Sequence, residues 1–233
     1  MRSLTSNGSG DEARVDIKGI KWNYDRTEMI ADGIVHGIGL ACALVGVTIL
    51  LVHASAASTA GQITAAAIYG AGLVATLSIS FVYNMWPVSR TKWLLRRFDH
   101  SSIFILIAAT YTPFLQSGWD DPFLAIMLVG IWLIAALGIA LKCVFPGRYD
   151  KLAIVLYLAM GWSGVLAVGP LLATLTGATM LLILVGGIIY SAGVIFHVWE
   201  RLRFQNAIWH GFVVTAAAVH FSAVFSVIGN GAV

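Results

Sequence analysis

The sequence predicts an all-α integral membrane protein: a bundle of seven transmembrane helices with its N-terminus in the cytoplasm and its C-terminus outside. Three observations predict it. The chain of 233 residues is 59% hydrophobic and only 11% charged, which leaves too little polar surface for a soluble domain of that length. Its apolar residues fall into seven stretches, each near the roughly 20 residues needed to cross about 30 Å of hydrocarbon. All 14 Lys and Arg residues lie on one side of those stretches. Arg2, Arg14, Lys18, Lys21 and Arg26 precede the first. Arg90, Lys92, Arg96 and Arg97, then Lys142, Arg148 and Lys151, then Arg201 and Arg203 fill alternate connections. The connections around Thr59, Asp120–Asp121 and residues 172–178, and the tail after Ser226, have none. Short cytoplasmic loops retain Lys and Arg while translocated loops lack them, so the alternation fixes the orientation.

Taken in order, residues 1–28 form a cytoplasmic N-terminal segment. Residues 1–20 are rich in Ser, Gly and charge and are expected to be disordered, because they have little apolar surface to bury. Lys21 to Glu28 is expected to be an interfacial lead-in, with Trp22 and Tyr24 suited to the headgroup region. The first apolar run follows 28 residues and far exceeds the 7–15-residue core of a cleaved signal sequence. The transmembrane domain is residues 29–230, with spans at 29–53, 61–84, 100–117, 121–143, 150–168, 178–198 and 207–228. Short connections make consecutive helices antiparallel neighbours. Glycines such as Gly33 with Gly37, Gly161 with Gly164, and Gly186 with Gly187 are expected at close helix contacts. Pro113 is expected to kink or end the third helix, since it cannot donate to the ladder. Cys42 and Cys143 lack a disulfide partner and metal-ligand spacing, and read as small packing residues. The net charge of +3 reflects membrane orientation; no basic patch on a soluble surface suggests nucleic acid.

The polar residues within the spans collect in the cytoplasmic half. Asp32 and His36 open the first helix, Ser80 and Asn84 close the second, and Asp99 and His100 open the third. His197 closes the sixth, Asn206 and His210 open the seventh, and His220 lies deeper. His53 alone sits at the outer end. Asp32/His36, Ser80/Asn84 and Asn206/His210 are i,i+4 pairs, so both members of each share a helical face. Polar stripes facing lipid are costly, which predicts an interior cavity open to the cytoplasm. Hydrogen bonding between helices explains any one residue as well; the whole set in one layer points to a site. An ion relay through these His and Asp residues is incomplete, because the outer half offers only groups such as Thr110, Tyr111 and Thr112.

Four stretches then make the chain resemble the bacterial hemolysin III family, within the progestin and adipoQ receptor superfamily. Glu28 through Gly37 is similar to that family's Glu-x3-Asn-x3-His-Gly motif, with Asp32 in place of Asn. Ser80 through Asn84 occupies its Ser-x3-His position. Arg96 through Ile103, continuing to Thr110 through Phe114, matches its Asp-His…Thr-Tyr-Thr-Pro-Phe signature. Asn206 through Val213, with Val219 through Phe221, matches its closing His-x3-His block. The resemblance implies a bacterial inner-membrane protein, and covers roughly residues 20–230.

It also implies a zinc ion held at the positions of Asn84, Asn206 and His210. Two of those imidazoles are amides here. A carboxamide oxygen is a poor zinc ligand, so neither metal nor other cofactor is expected, and Asn84 and Asn206 are expected to bond across helices 2 and 7. For a displaced site built from His36, Asp99, His100 or His220, the spacing alone gives no convergent third ligand. The leading expectation is a non-enzymatic lipid or small-molecule sensor, or a protein of membrane permeability or energetics, given the family's association with cytolysis. Its cavity residues are Asp32, His36, Asn84, His100, Asn206, His210 and His220, and membrane lipids are its partners. The alternative is a ceramidase-like lipid-amide hydrolase, with or without metal, using Ser80 and Asp99; no nucleophile-elbow motif accompanies it.

Overall fold

A computed structural model of the protein describes residues 24–199 and 201–229. The expected disordered segment and the first three residues of the interfacial lead-in, Trp22 included, lie outside the described residues. Among the described residues there is no strand, and the helices are α1 (Arg26–Ala57), α2 (Ala60–Met85), α3 (Arg90–Gln116), α4 (Pro122–Val144), α5 (Asp150–Trp162), α6 (Val168–Thr174), α7 (Gly177–Val198) and α8 (Gln205–Gly229). A 3-10 turn, Ser163–Ala167, joins α5 to α6. With α5 through α6 counted as one rod, six segments are long and apolar enough to cross a membrane. The exception is α3, whose first eight residues include Arg90, Lys92, Arg96 and Arg97. It packs against α2, α4, α5 and α8, and its polar Ser101, Ser102 and Thr112 are buried in protein. A multi-pass membrane bundle of seven rods results.

Helix ends are set by local chemistry. Asp25 caps α1 in a capping box with Glu28, and Thr59 caps α2 in another with Gln62. Asp121 caps α4, with Pro122 at its first position, where a missing N–H costs nothing. The third helix starts ten residues before the predicted 100, because Ser89 caps it and the basic residues form its first two turns. Pro113 sits inside α3, which continues to Gln116 before ending.

The fifth span departs furthest from expectation. It continues to Thr174 and breaks at Ser163–Ala167. Unpaired backbone is costly at membrane depth, and Tyr111 of α3 supplies partners: its hydroxyl donates to Gly161 O at 2.7 Å and accepts from Gly164 N at 2.8 Å.

Glycine lets helices approach, but not as paired. A Cβ on Gly33 would meet Met85, one on Gly164 would meet Tyr111, and one on Gly186 would collide with the His220 ring, whereas Gly37, Gly161 and Gly187 face open space. A single member of each pair is therefore used at a close contact. Cys42 and Cys143 are free and exposed on the bundle's surface, which corrects their reading as packing residues. His53 stacks on Phe225, with ring centroids 4.9 Å apart.

The α1–α8 contact positions the site. Asp32 touches His210 near the start of both helices, Gly39 meets Val214, Gly46 meets Phe221, and Ser58 Oγ donates to Ile228 O at the far end. This order runs parallel, as first and seventh spans must. Glu28 sets the register: one carboxylate oxygen accepts from Asp25 N in the capping box, and the other accepts from Phe204 N at 2.9 Å. Phe204 has φ 59°, the left-handed turn that launches α8 beside the start of α1.

Candidate functional site

A cavity of about 180 Å³ lies within the bundle, bordered by residues of α1, α2, α3, α5, α7 and α8. Its polar end is built by His36, Ser80, Asp99, His197 and His210. Along its length the wall is apolar, with Ile103, Ile107 and Val213 among its residues, and His220 lies further along α8.

Two polar couples occupy the polar end. In the first, the Asp32 carboxylate lies 2.7 Å from His210 Nδ1 and 3.7 Å from His36 Nε2. All three residues are buried, His36 to 1% exposure, and the two imidazoles lie 4.2 Å apart by centroid. Both ring nitrogens of His36 are buried without a hydrogen-bond partner among the described residues. In the second couple, Ser80 of α2 and Asp99 of α3 stand side by side on the cavity wall. Ser102 Oγ donates to Asp99 O, and Thr76 donates to Ser102 O, which ties α2 to α3 beneath that pair.

Other residues singled out from the sequence go elsewhere. Asn84 donates its amide to Ser80 O at 2.9 Å on its own helix. Asn206 is partly buried, and neither Asn84 nor Asn206 lines the cavity. His100 is 3.8 Å from Asp150 and belongs to an ion cluster with Arg96 and Lys142. Asp32 stands behind His36 and His210, outside the cavity wall. His220 Nε2 lies 3.1 Å from Ile183 O. His197, Tyr157 and Trp209 also line the cavity but were not among the predicted site residues. His197 was visible as a polar residue at a helix end; the aromatic pair is indistinguishable in sequence from packing side chains.

A convergent set does exist, but not among His36, Asp99, His100 and His220 alone. Asp32, His36 and His210 offer three ligand atoms within 4.8 Å of one another. Spacing within one helix supplies two of them; the third arrives only through the α1–α8 register. By contrast, Asn84 has turned its amide to its own helix, so the positions that the resemblance assigns to zinc do not fit that ion.

A profile of the family described as Haemolysin-III related matches residues 25–221. The chain is 38% identical over 197 residues to a Hemolysin-3 homolog of Bacillus subtilis (strain 168), covering 84% of this chain and 92% of that protein. The chain belongs to the haemolysin III-related family. A second relative, Hemolysin-3 of Bacillus cereus, is 39% identical over 197 residues, covering 84% of this chain and 90% of its own length. The human Monocyte to macrophage differentiation factor is 36% identical over 164 residues, or 68% of each chain. Within this family-wide framework, the α3 signature residues divide between tasks. Asp99 faces the cavity, His100 faces the ion cluster, and Tyr111 repairs the broken fifth span.

Proposed function

We propose that this haemolysin III-related protein is a resident of the bacterial cytoplasmic membrane that binds a single-chain amphiphile, acting as a sensor rather than an enzyme. The cavity's division into a polar end and an apolar wall supports this. Ser80 and Asp99 would take the ligand's polar head and Ile103, Ile107 and Val213 its chain. At about 180 Å³ the space falls below the roughly 300–1,000 Å³ of drug-sized sites, which favours one chain over a two-chain phospholipid. The route in is lateral: α5 meets α7 only sparsely, with Trp162 Nε1 donating to Ser191 Oγ at 3.0 Å between them. An apolar wall is not a water-filled path, which favours ligand binding over conduction. The lysis in the Bacillus cereus relative's name belongs to that protein.

The test is thermal stabilisation of detergent-purified protein by fatty acids and N-acyl amides, with extraction and mass spectrometry of co-purified lipid. Asp99→Asn is expected to weaken binding about tenfold or more, since a hydrogen bond to a charged group contributes about 1.5–3 kcal/mol. Ile107→Trp, which fills the cavity, is expected to abolish it. No stabilisation by any single-chain amphiphile overturns the reading. Steady release of fatty acid from an N-acyl amide, lost in Asp99→Asn and Ser80→Ala, replaces it with the hydrolase. Among the described residues no imidazole bonds the Ser80 hydroxyl, which accepts from Asn84 Nδ2 at 3.4 Å; this favours the sensor.

The orientation proposed is N-terminus in, supported by the alternation of Lys and Arg. Alkaline phosphatase fused after Val233 is expected to be active, and fused after Trp199 inactive. The opposite pattern reverses the topology.

A further inference from the structure

We propose that Asp32, His36 and His210 form a binding site for one divalent transition-metal ion, with zinc the best chemical match. The donors are two imidazoles and a carboxylate, a set that suits zinc. Their ligand atoms lie within 4.8 Å of one another. Bonds of about 2.0–2.1 Å in a tetrahedral arrangement place ligand atoms roughly 3.3–3.4 Å apart, so the site needs only a small adjustment. The 3.7 Å separation of His36 and Asp32 closes slightly. The 2.7 Å His210–Asp32 contact opens as the ion displaces the proton between them.

A second, independent observation points to a ligand. His36 is 1% exposed, and neither of its ring nitrogens has a hydrogen-bond partner among the described residues. A buried polar group left unpaired is costly, and the Asp32 oxygen at 3.7 Å is too far to satisfy it. The same carboxylate already holds His210. An ion between the three groups satisfies the orphaned imidazole and neutralises the buried carboxylate together.

The site draws on the first and seventh spans, joined by the α1–α8 register that Glu28 fixes through Phe204 N. It therefore differs from the Asn84, Asn206 and His210 set. His36 and His210 both line the cavity, so the ion would stand at its polar end. Three protein ligands leave a coordination position unfilled. The inference does not depend on the amphiphile reading, because metal content is measured with no amphiphile present.

The experiment loads purified full-length protein with zinc, dialyses it against a weak chelator, and measures metal by mass spectrometry; cobalt is loaded in parallel. Wild type is expected to retain about one zinc per chain and to show the visible bands of four- or five-coordinate cobalt. His36→Gln and Asp32→Asn are expected to lower affinity at least about 10–100-fold, the loss typical of disturbing even an outer partner. Asn84→Ala should keep its metal. If His36→Gln fails to fold, the nearly isosteric Asp32→Asn and the wild-type cobalt spectrum decide. Wild type that holds no zinc and gives no cobalt bands overturns the proposal. So does metal that survives both α1 substitutions and is lost in Asn84→Ala.

Discussion

Asp150→Ala is expected to destabilise the bundle by about 2–3 kcal/mol, below the roughly 3–5 kcal/mol of a fully buried ion pair because the carboxylate is itself partly in solvent. Asp150 opens α5 and bonds Lys142 of α4 while accepting from Arg96 Nη2 of α3 at 2.7 Å. Lys142 is 2% exposed, and its nitrogen bonds no other group among the described residues. Removing the carboxylate leaves the buried Lys142 ammonium beside the Arg96 guanidinium with no ion-pair partner among the described residues. Lys142→Met is expected to cost distinctly less, because Asp150 keeps Arg96 and its side chain is 36% exposed to solvent. The asymmetry separates this network from a generic loss of contact. Thermal unfolding of both variants in the same detergent measures it, and an Asp150→Ala protein as stable as Lys142→Met contradicts it.

The same cluster shows what the sequence could and could not yield. Lys142 was legible as one of the basic residues that orient the chain. Its burial was not, because a charge count treats every Lys near a helix end as loop. The spans were legible because roughly 20 apolar residues have few alternatives to a transmembrane helix. The break in the fifth span was hidden, since Ser163 and Gly164 do not interrupt its hydropathy and their partner, Tyr111, lies 53 residues away.

The candidate site divides along the same line. Asp32 with His36 was legible as one face of α1, from i,i+4 spacing. Their meeting with His210 was not, because it depends on a tertiary register across 178 residues of sequence. A clue existed in Glu28, whose carboxylate serves both the α1 capping box and the start of α8. Its sequence position identifies the first of these roles and gives no hint of the second. Asn84 illustrates the converse error. Its position suggested a bond to helix 7, but a side-chain amide reaches the carbonyl four residues back on its own helix at less entropic cost.

Gly138→Ala is expected to cost about 1–3 kcal/mol by overpacking. A Cβ there would enter the ring of Phe104, which is fully buried between α3 and α4 and packs on Tyr157 at 4.5 Å. In lipid the hydrophobic effect does not drive helices together, so close packing supplies much of their association. A misplaced methyl group at this contact therefore forces α3 and α4 apart. Gly130 on the same helix has nothing within 4 Å of a Cβ. Gly130→Ala is accordingly expected to be neutral or to stabilise by up to about 1 kcal/mol, the helix-propensity difference between the two residues. Phe104→Leu alone is expected to loosen the contact, yet to recover stability when combined with Gly138→Ala, because the smaller side chain makes room for the methyl. That sign reversal is the signature of direct contact in a double-mutant cycle. Equal stability of Gly138→Ala and Gly130→Ala, or simple additivity of Phe104→Leu with Gly138→Ala, means that α3 and α4 do not meet through this ring.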